Sequence, residues 1–190
     1  VGGSFGMKGG TYPEYVLVLW SAKMLGRPVK WYAPRSESFI SDTHSRDNVS
    51  HAELALSKDG KFLGVRCKTL ANLGAYVASR GPNPPMGNLG TMAGTYTTEA
   101  MHVNVRAVLT NTHSTAPYRG AGRPEAAYVM ERLIDIAAYE MKMDPAELRR
   151  INLIPKEALP YQTALTFNYD SGDFEKGLDM ALAMADYANF

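Results

Sequence analysis

Two segments of the chain carry apolar residues at helical spacing, and each follows a stretch that is rich in glycine. The first segment, residues 15–25, has Pro13 before it and Gly26 after it, as is typical of the two ends of a helix. The second segment, residues 126–141, predicts a longer helix with one buried face. The apolar positions on that face are Val129, Leu133, Ile136, Ala137 and Met141.

Alternating apolar and polar positions predict strands between these two helices. Residues 51–57 and 62–70 flank the turn Lys58-Asp-Gly-Lys61, which predicts a β-hairpin. Residues 101–109 alternate with the period of a half-buried strand. A short run at residues 29–33 also predicts a strand. Together with the helices, this pattern predicts an α+β fold, with antiparallel strands packed against several helices.

The last part of the chain predicts two further helices. Asp144 followed by Pro145 is typical of a capped helix start, and apolar spacing within residues 171–187 predicts a final amphipathic helix. We expect residues 1–190 to form a single partial domain. Its core would cover about residues 1–154, and an irregular linker and the C-terminal helix would occupy residues 155–190.

Composition restricts the classes of function. The chain has 190 residues, of which 45% are hydrophobic and 21% charged, and a net charge of +1, so no broad basic surface is available for nucleic acid. No apolar run reaches the roughly 20 residues of a membrane span. With Cys67 as its single cysteine, the chain cannot form an internal disulfide or an iron–sulfur site, which fits a reducing compartment such as the cytoplasm.

The glycine-rich stretches are the candidate binding sites. Residues 116–125 contain Gly120, Gly122, Arg119 and Arg123 directly before the long helix, a pattern that favours an anion at the helix start. The alternative is an ordinary loop with solvated arginines. Two phosphate motifs fail by counting: the lysine of residues 1–10 is not followed by a hydroxyl residue, and the dinucleotide fingerprint lacks its last glycine.

The two stretches together resemble the molybdopterin-binding subunit of the molybdenum hydroxylases, such as xanthine oxidase, aldehyde oxidase and aerobic carbon monoxide dehydrogenase. Gly2-Gly-Ser-Phe-Gly-Met-Lys8 is similar to the family's first glycine loop, and Tyr118-Arg-Gly-Ala-Gly-Arg-Pro-Glu125 to its second. Pro28-Val-Lys-Trp31, Asp59-Gly-Lys61 and Asp144-Pro-Ala-Glu-Leu-Arg149 follow the family's order and spacing. The resemblance covers the whole chain.

This resemblance implies that a molybdopterin cofactor, expected in its cytosine dinucleotide form, supplies the redox chemistry. FAD and 2Fe-2S clusters would lie on partner domains or subunits, in an oligomeric enzyme. The implied cofactor-binding residues are Gly3, Phe5, Gly6, Arg119 and Gly120. Of these, Phe5 and Arg119 would lie beside the molybdenum, the former through its backbone, while Gly9 and Ala121 would face the substrate.

Departures from the family pattern narrow the expected substrate. Gly9 stands where xanthine oxidase has a purine-contacting glutamate, and no arginine lies near Gly87, so purine oxidation is disfavoured. Gly120 stands at the place of the copper-binding cysteine of carbon monoxide dehydrogenase. The resemblance therefore implies a hydroxylase of an aldehyde, an aromatic N-heterocycle or a similar small molecule. The alternatives are a copper-free paralogue of carbon monoxide dehydrogenase, an inert scaffold of the same fold, and a stand-alone phosphate-binding module.

The general base of the family is a glutamate in a later segment that these residues do not include. Glu125 does not replace it, because a carboxylate in the first turn of a helix is explained by the helix dipole. The chain lacks an initiator Met and starts within a glycine run, so we expect it to be a piece of a longer protein that is inactive by itself.

Overall fold

A computed structural model describes residues 3–189 and confirms the α+β class. A mixed sheet of three strands is ordered β1 (Asn48–Leu56), β2 (Phe62–Asn72) and β3 (Ala100–Val108), and a small hairpin pairs β4 (Tyr161–Gln162) with β5 (Asn168–Tyr169). The helices are α1 (Pro13–Leu25), α2 (Arg35–Ser41), α3 (Asn83–Thr91), α4 (Arg123–Met141), α5 (Pro145–Asn152) and α6 (Phe174–Met184).

The strand pairing differs from the expected pattern in one respect. Strands β1 and β2 form the predicted antiparallel hairpin, but β3 pairs with β2 in parallel. Parallel neighbours need a long crossover, and residues 73–99, which include α3, provide it. Gly74, with a φ of 77°, lies two residues after the end of β2 and lets the chain turn away from the sheet.

The core forms where α4 crosses the sheet and α5. Phe62 and Tyr96 pack edge to face, with ring centroids 5.5 Å apart, beside the buried Met130 and Ile134. The buried face of α4 is shifted from the predicted one: Ala137 is buried as expected, but Ile136 is 41% exposed. The face that is buried comprises Ala126, Met130, Ile134, Ala137 and Ala138. The helix is apolar on more than one side, so its contacts decide which side is covered.

Two predictions near the N-terminus have different outcomes. Helix α1 is present as predicted, yet none of its residues is buried. The prediction of a strand at residues 29–33 is wrong, because no strand pairs with this run within the described part of the chain. Among residues 3–189, no helix is both long enough and apolar enough to cross a membrane.

The helices that follow α4 agree with their sequence signals. Asp144 caps α5, and its carboxylate accepts hydrogen bonds from the amides of Ala146 and Glu147 at 2.8 and 2.9 Å. The final helix α6 is shorter than predicted. Most of the expected linker is irregular, although β4 and β5 form a brief hairpin within it. Cys67 is fully buried in the sheet, as expected of a core residue.

Candidate functional site

The two glycine loops meet on one side of the molecule, although they lie far apart in the sequence. The amide of Arg119 donates a hydrogen bond of 2.9 Å to the carbonyl oxygen of Phe5. The rings of Phe5 and Tyr118 stack with their centroids 5.9 Å apart. Phe5 and Arg119, the two residues predicted to lie beside a metal, are therefore direct neighbours.

The close approach of the loops requires a residue without a side chain at Gly6. Its φ is 104°, and a methyl group there would lie 2.7 Å from the carbonyl oxygen of Pro117. A real Cβ atom does not approach an oxygen so closely. Glycine at this position therefore allows the first loop to contact the second.

Positive φ values recur in the two loops, at four of the five predicted cofactor-binding residues and at the predicted substrate-facing Ala121. Gly3 and Gly120 have φ values of 101° and 95°, a region that glycine enters without strain. Phe5 and Ala121 have φ values of 48° and 45°, which cost a residue with a side chain about 1–3 kcal/mol. Strain of this kind persists only where surrounding contacts hold it. The loop-to-loop hydrogen bond at Phe5 is one such contact.

The second loop is held at both of its ends. At its start, the amide of His44 donates to the carbonyl of Ser114 at 3.0 Å, and the amide of Ala116 donates to His44 at 2.8 Å. At its end, the loop runs into α4, where Ala126 is fully buried. The position of Arg119 is thus tied to the protein core.

Side chains also hold the first loop in place. Lys8 forms an ion pair with Asp42, and its ammonium lies 4.8 Å from the ring centroid of Tyr12. Burial alone would lower the pKa of Lys8, but the hydrogen bond and the charge of Asp42 outweigh it, so the pKa of Lys8 lies above its ordinary value. The lysine therefore stays charged and anchors the loop to the end of α2.

Arg46 is a site residue that the sequence analysis did not identify. Its guanidinium donates to the carbonyl oxygen of Arg119 and lies 5.0 Å from the ring centroid of Tyr118. It also lies 3.8 Å from Glu125, an ion pair without a hydrogen bond. No local signal marks this role, because Arg46 sits in a loop remote in sequence and its own φ is 63°.

The two predicted substrate-facing residues lie in different surroundings. Gly9 has open space where a side chain would project, with no described atom within 4 Å. Ala121 is half-buried, and its carbonyl oxygen would lie 3.1 Å from a methyl group at Gly87. The segment around Gly87 thus closes on the second loop. The structure does not bring Gly9 and Ala121 together as it does Phe5 and Arg119.

The donor groups of the site fit a metal that is carried by an organic cofactor. Among residues 3–189, no group of three His, Cys, Asp or Glu side chains could hold a metal ion directly. What the loops offer instead is backbone at the exposed Gly3 and Gly120 and the guanidinium of Arg119, which suit an anionic, hydrogen-bonding group. The side chain of Phe5, which is 48% exposed, lies next to Arg119 on the same surface.

Comparison with known proteins establishes the class. The sequence profile of the molybdopterin cofactor-binding domain matches residues 1–153. The chain therefore belongs to the molybdopterin cofactor-binding domain family, and the resemblance drawn from its two glycine loops is confirmed.

Individual relatives come from molybdenum-dependent and related oxidoreductases. The carbon monoxide dehydrogenase large chain of Hydrogenophaga pseudoflava is 40% identical over 190 residues, which are 98% of this chain and 24% of the relative. The 6-hydroxypseudooxynicotine dehydrogenase complex subunit gamma of Paenarthrobacter nicotinovorans is 36% identical, and the match covers 100% of this chain and 25% of the relative. The crystal structure of quinoline 2-oxidoreductase from Pseudomonas putida 86 matches with a TM-score of 0.91 and 31% identity. This match covers 100% of this chain and 24% of the chain in that structure. The chain thus spans about a quarter of the length of these relatives.

Proposed function

We propose that this chain forms the metal-proximal part of the molybdopterin site in the large subunit of a molybdenum hydroxylase. The observation that carries the proposal is the 2.9 Å hydrogen bond from the amide of Arg119 to the carbonyl of Phe5, which joins the two loops around one exposed surface. Family membership supports it. When bound, the cofactor supplies the redox chemistry that hydroxylates the substrate with oxygen derived from water.

The chain's own residues would bind and orient the cofactor. The backbone of Gly3, Phe5 and Gly6 would contact it on one side, and Arg119 and Gly120 on the other. The two loops are joined by a hydrogen bond and already adopt their conformation before the cofactor binds. Little conformational entropy would therefore be lost on binding. The guanidinium of Arg119 would stabilise negative charge next to the metal.

The proposed substrate is an aldehyde, an aromatic N-heterocycle or a similar small molecule that approaches Gly9 and Ala121. Two similar proteins are named for quinoline and 6-hydroxypseudooxynicotine, both nitrogen-containing aromatic compounds, which favours that class. Gly120 leaves no thiolate for a copper ion, and a methyl group there would lie 2.6 Å from Pro124. The alternative is a copper-free paralogue of carbon monoxide dehydrogenase.

The complete enzyme would use other domains or subunits. We propose that FAD and 2Fe-2S clusters on partners remove the electrons, in an oligomeric enzyme of the cytoplasm. The carboxylate that acts as general base would come from another segment, because Glu125 is engaged by Arg46 at 3.8 Å. These residues alone would therefore not turn over substrate.

The test uses the natural large subunit that contains this chain, expressed with its partners. We expect molybdenum and pterin in the purified complex, and Arg119→Ala should lower both. Arg132→Ala is the matched control, since Arg132 is exposed on α4 and lies outside both glycine loops. A folded complex without molybdenum would contradict the proposal, and full retention in Arg119→Ala would favour an inert scaffold instead.

The form of the cofactor has a separate test. Mild acid hydrolysis of the loaded enzyme should release cytidine monophosphate, detected by chromatography, in about equal amount to the molybdenum. Release of guanosine monophosphate or of no nucleotide would disprove the cytosine dinucleotide form while leaving the molybdopterin site intact.

A further inference from the structure

The carbonyl oxygen of Ala121, in the second glycine loop, lies against helix α3. A methyl group at Gly87, in the middle of α3, would be 3.1 Å from that oxygen, which is the only described atom outside α3 within 4 Å. The distance is shorter than ordinary van der Waals contact, so one of the two segments would have to move by a few tenths of an ångström. A side chain at position 87 would therefore press on Ala121.

Helix α3 cannot easily move away from the second loop, because its opposite side is buried. Pro85 is two residues from Gly87, which places it on the other side of the helix, and it is buried. Directly after α3, the buried Met92 packs in a core cluster with Ala126, in the first turn of α4. A close-packed interior resists the displacement of a helix. A larger residue at position 87 should therefore displace Ala121 rather than α3.

The other glycine of α3, Gly90, has neighbours of a different kind. A methyl group there would lie 2.5 Å from the hydroxyl oxygen of Thr166 and 2.6 Å from the ring of Phe167, in the connection between β4 and β5. Both neighbours are side-chain atoms, and Phe167 is 40% exposed, so these groups can rotate aside. The neighbour of Gly87 is a main-chain atom, which moves only together with the loop.

Ala121 is connected to the residues at the proposed cofactor. Its φ is 45°, and its amide donates a hydrogen bond of 2.7 Å to the carbonyl oxygen of Tyr118. The ring of Tyr118 stacks on Phe5, and Arg119 lies between Tyr118 and Ala121 in the loop. A residue held in a strained conformation depends on its surrounding contacts, so a displaced carbonyl should also disturb this hydrogen bond.

We propose that Gly87 is a positioning residue, which sets the place of Ala121 on the substrate side of the second loop through close contact with its carbonyl oxygen. The inference rests on the proposed function and deepens it, because it assigns part of the substrate selectivity to α3. A side chain at position 87 displaces Ala121 and thereby changes the size of the ring system that the site admits. Gly87 acts through Ala121 and needs no contact with the substrate.

The first test compares Gly87→Ala with Gly90→Ala by hydrogen–deuterium exchange in the complete large subunit with its partners. Both variants add one methyl group to the same helix, so they share any gain in helix propensity. Gly87→Ala should speed exchange in peptides that cover residues 118–122 by about 3- to 10-fold, and Gly90→Ala should leave these peptides unchanged. Unchanged exchange in Gly87→Ala, or an equal increase in both variants, would overturn the inference.

The second test measures selectivity by calorimetric titration of the cofactor-loaded enzyme with 2-quinolinone and 2-pyridone. These probes are the ring-hydroxylated forms of quinoline and pyridine, and they differ by one fused ring. Gly87→Ala should weaken the binding of 2-quinolinone about 3- to 10-fold more than that of 2-pyridone, because the larger probe touches more of the displaced wall.

Gly177→Ala is the control for this titration. Gly177 also lies within a helix, α6, but a methyl group there would have no described atom within 4 Å, so both affinities should stay unchanged. Equal weakening of both probes in Gly87→Ala would indicate a purely structural role and would also overturn the inference.

Molybdenum analysis of the same samples separates the two proposals. A folded complex without molybdenum, in which Gly87→Ala still speeds exchange of residues 118–122 and Gly90→Ala does not, argues against the proposed function alone. A molybdenum-loaded complex in which Gly87→Ala changes neither the exchange nor the ratio of the two affinities argues against this inference alone.

Discussion

Helices α1 and α4 begin in the same way but are packed differently. Each follows a glycine loop, has proline in its first turn and carries a glutamate next to it. Helix α4 buries five residues against the sheet and α5, and Ile134 is completely inaccessible. No residue of α1 is buried, and Leu19 and Trp20 are 72% and 60% exposed. Similar local sequence has therefore produced one core helix and one helix on the surface of the described structure.

This difference shows how the site is held together. The second loop is continuous with α4, so the core fixes its position. The first loop continues into α1, which offers no such anchor, and it is held instead by the bond from Arg119 to Phe5 and by the Lys8–Asp42 ion pair. One loop thus acts as the fixed side of the site, and the other is docked onto it.

The largest effect should follow from removing the core contact of α4. Ile134→Ala would leave a cavity in the core and should cost about 2–5 kcal/mol of unfolding free energy. Leu19→Ala, the matched change in α1, should change it by no more than about 0.5 kcal/mol. Chemical denaturation of the 190-residue chain measures both. A comparable loss in Leu19→Ala would mean that α1 is packed after all.

The next largest effect concerns the docking of the first loop. Gly6→Ala would place a methyl group 2.7 Å from the carbonyl of Pro117 at a φ of 104°, so we expect a cost of about 1–3 kcal/mol to the loop contact. Faster exchange of the Arg119 amide and lower molybdenum content should report it. Gly9→Ala, in the same loop with open space around it, should behave like the unmutated protein in both measurements.

A smaller effect is expected at the cap of α5, where hydrogen bonding and charge can be separated. Asp144→Ala should cost about 1 kcal/mol, because two amides of α5 lose their acceptor. Asp144→Asn should retain most of the stability, since asparagine is an equally good cap. Thermal denaturation at neutral pH compares the three proteins. Equal losses in both variants would show that the charge matters rather than the cap.

The same cap should produce a pH dependence of known sign. The amide of Glu147, followed by the hydroxyl of Tyr187 and the amide of Ala146, holds the pKa of Asp144 below its ordinary value. The stabilisation is therefore complete above the unfolded carboxyl pKa of roughly 4 and is lost as the pH falls through the lower folded pKa. Asp144→Asn should lack this acid-dependent part, so the stability difference between it and the unmutated protein should shrink or reverse at low pH.

The smallest effect is expected at Arg46. Arg46→Gln removes a charge-assisted hydrogen bond to the carbonyl of Arg119 from a partly exposed side chain, so a cost of about 0.5–1 kcal/mol is expected. Cofactor retention should fall a few-fold, while Arg27→Gln, an exposed change after α1, should have none of this effect. Unchanged retention in Arg46→Gln would show that Arg46 is not needed to position the second loop.

Much of the local structure was readable from the residues themselves. Proline and glycine at helix ends, the capping Asp144 and the turn Lys58-Asp-Gly-Lys61 act through neighbouring atoms, so α1, α4, α5 and the hairpin were predicted correctly. The two glycine loops were also identified, because positive φ and close backbone approach leave few choices but glycine. The family followed from their paired motifs and spacing.

Tertiary contacts decided the rest. Which side of α4 is buried, the parallel pairing of β3, the absence of a strand at residues 29–33 and the role of Arg46 all depend on groups that are distant along the chain. An apolar pattern indicates that a surface can be buried, but burial requires a partner surface of matching shape. A hydrogen bond likewise requires a donor or acceptor within bonding distance. The sequence by itself therefore determined the loops and helices, and only the folded chain decided which of them meet.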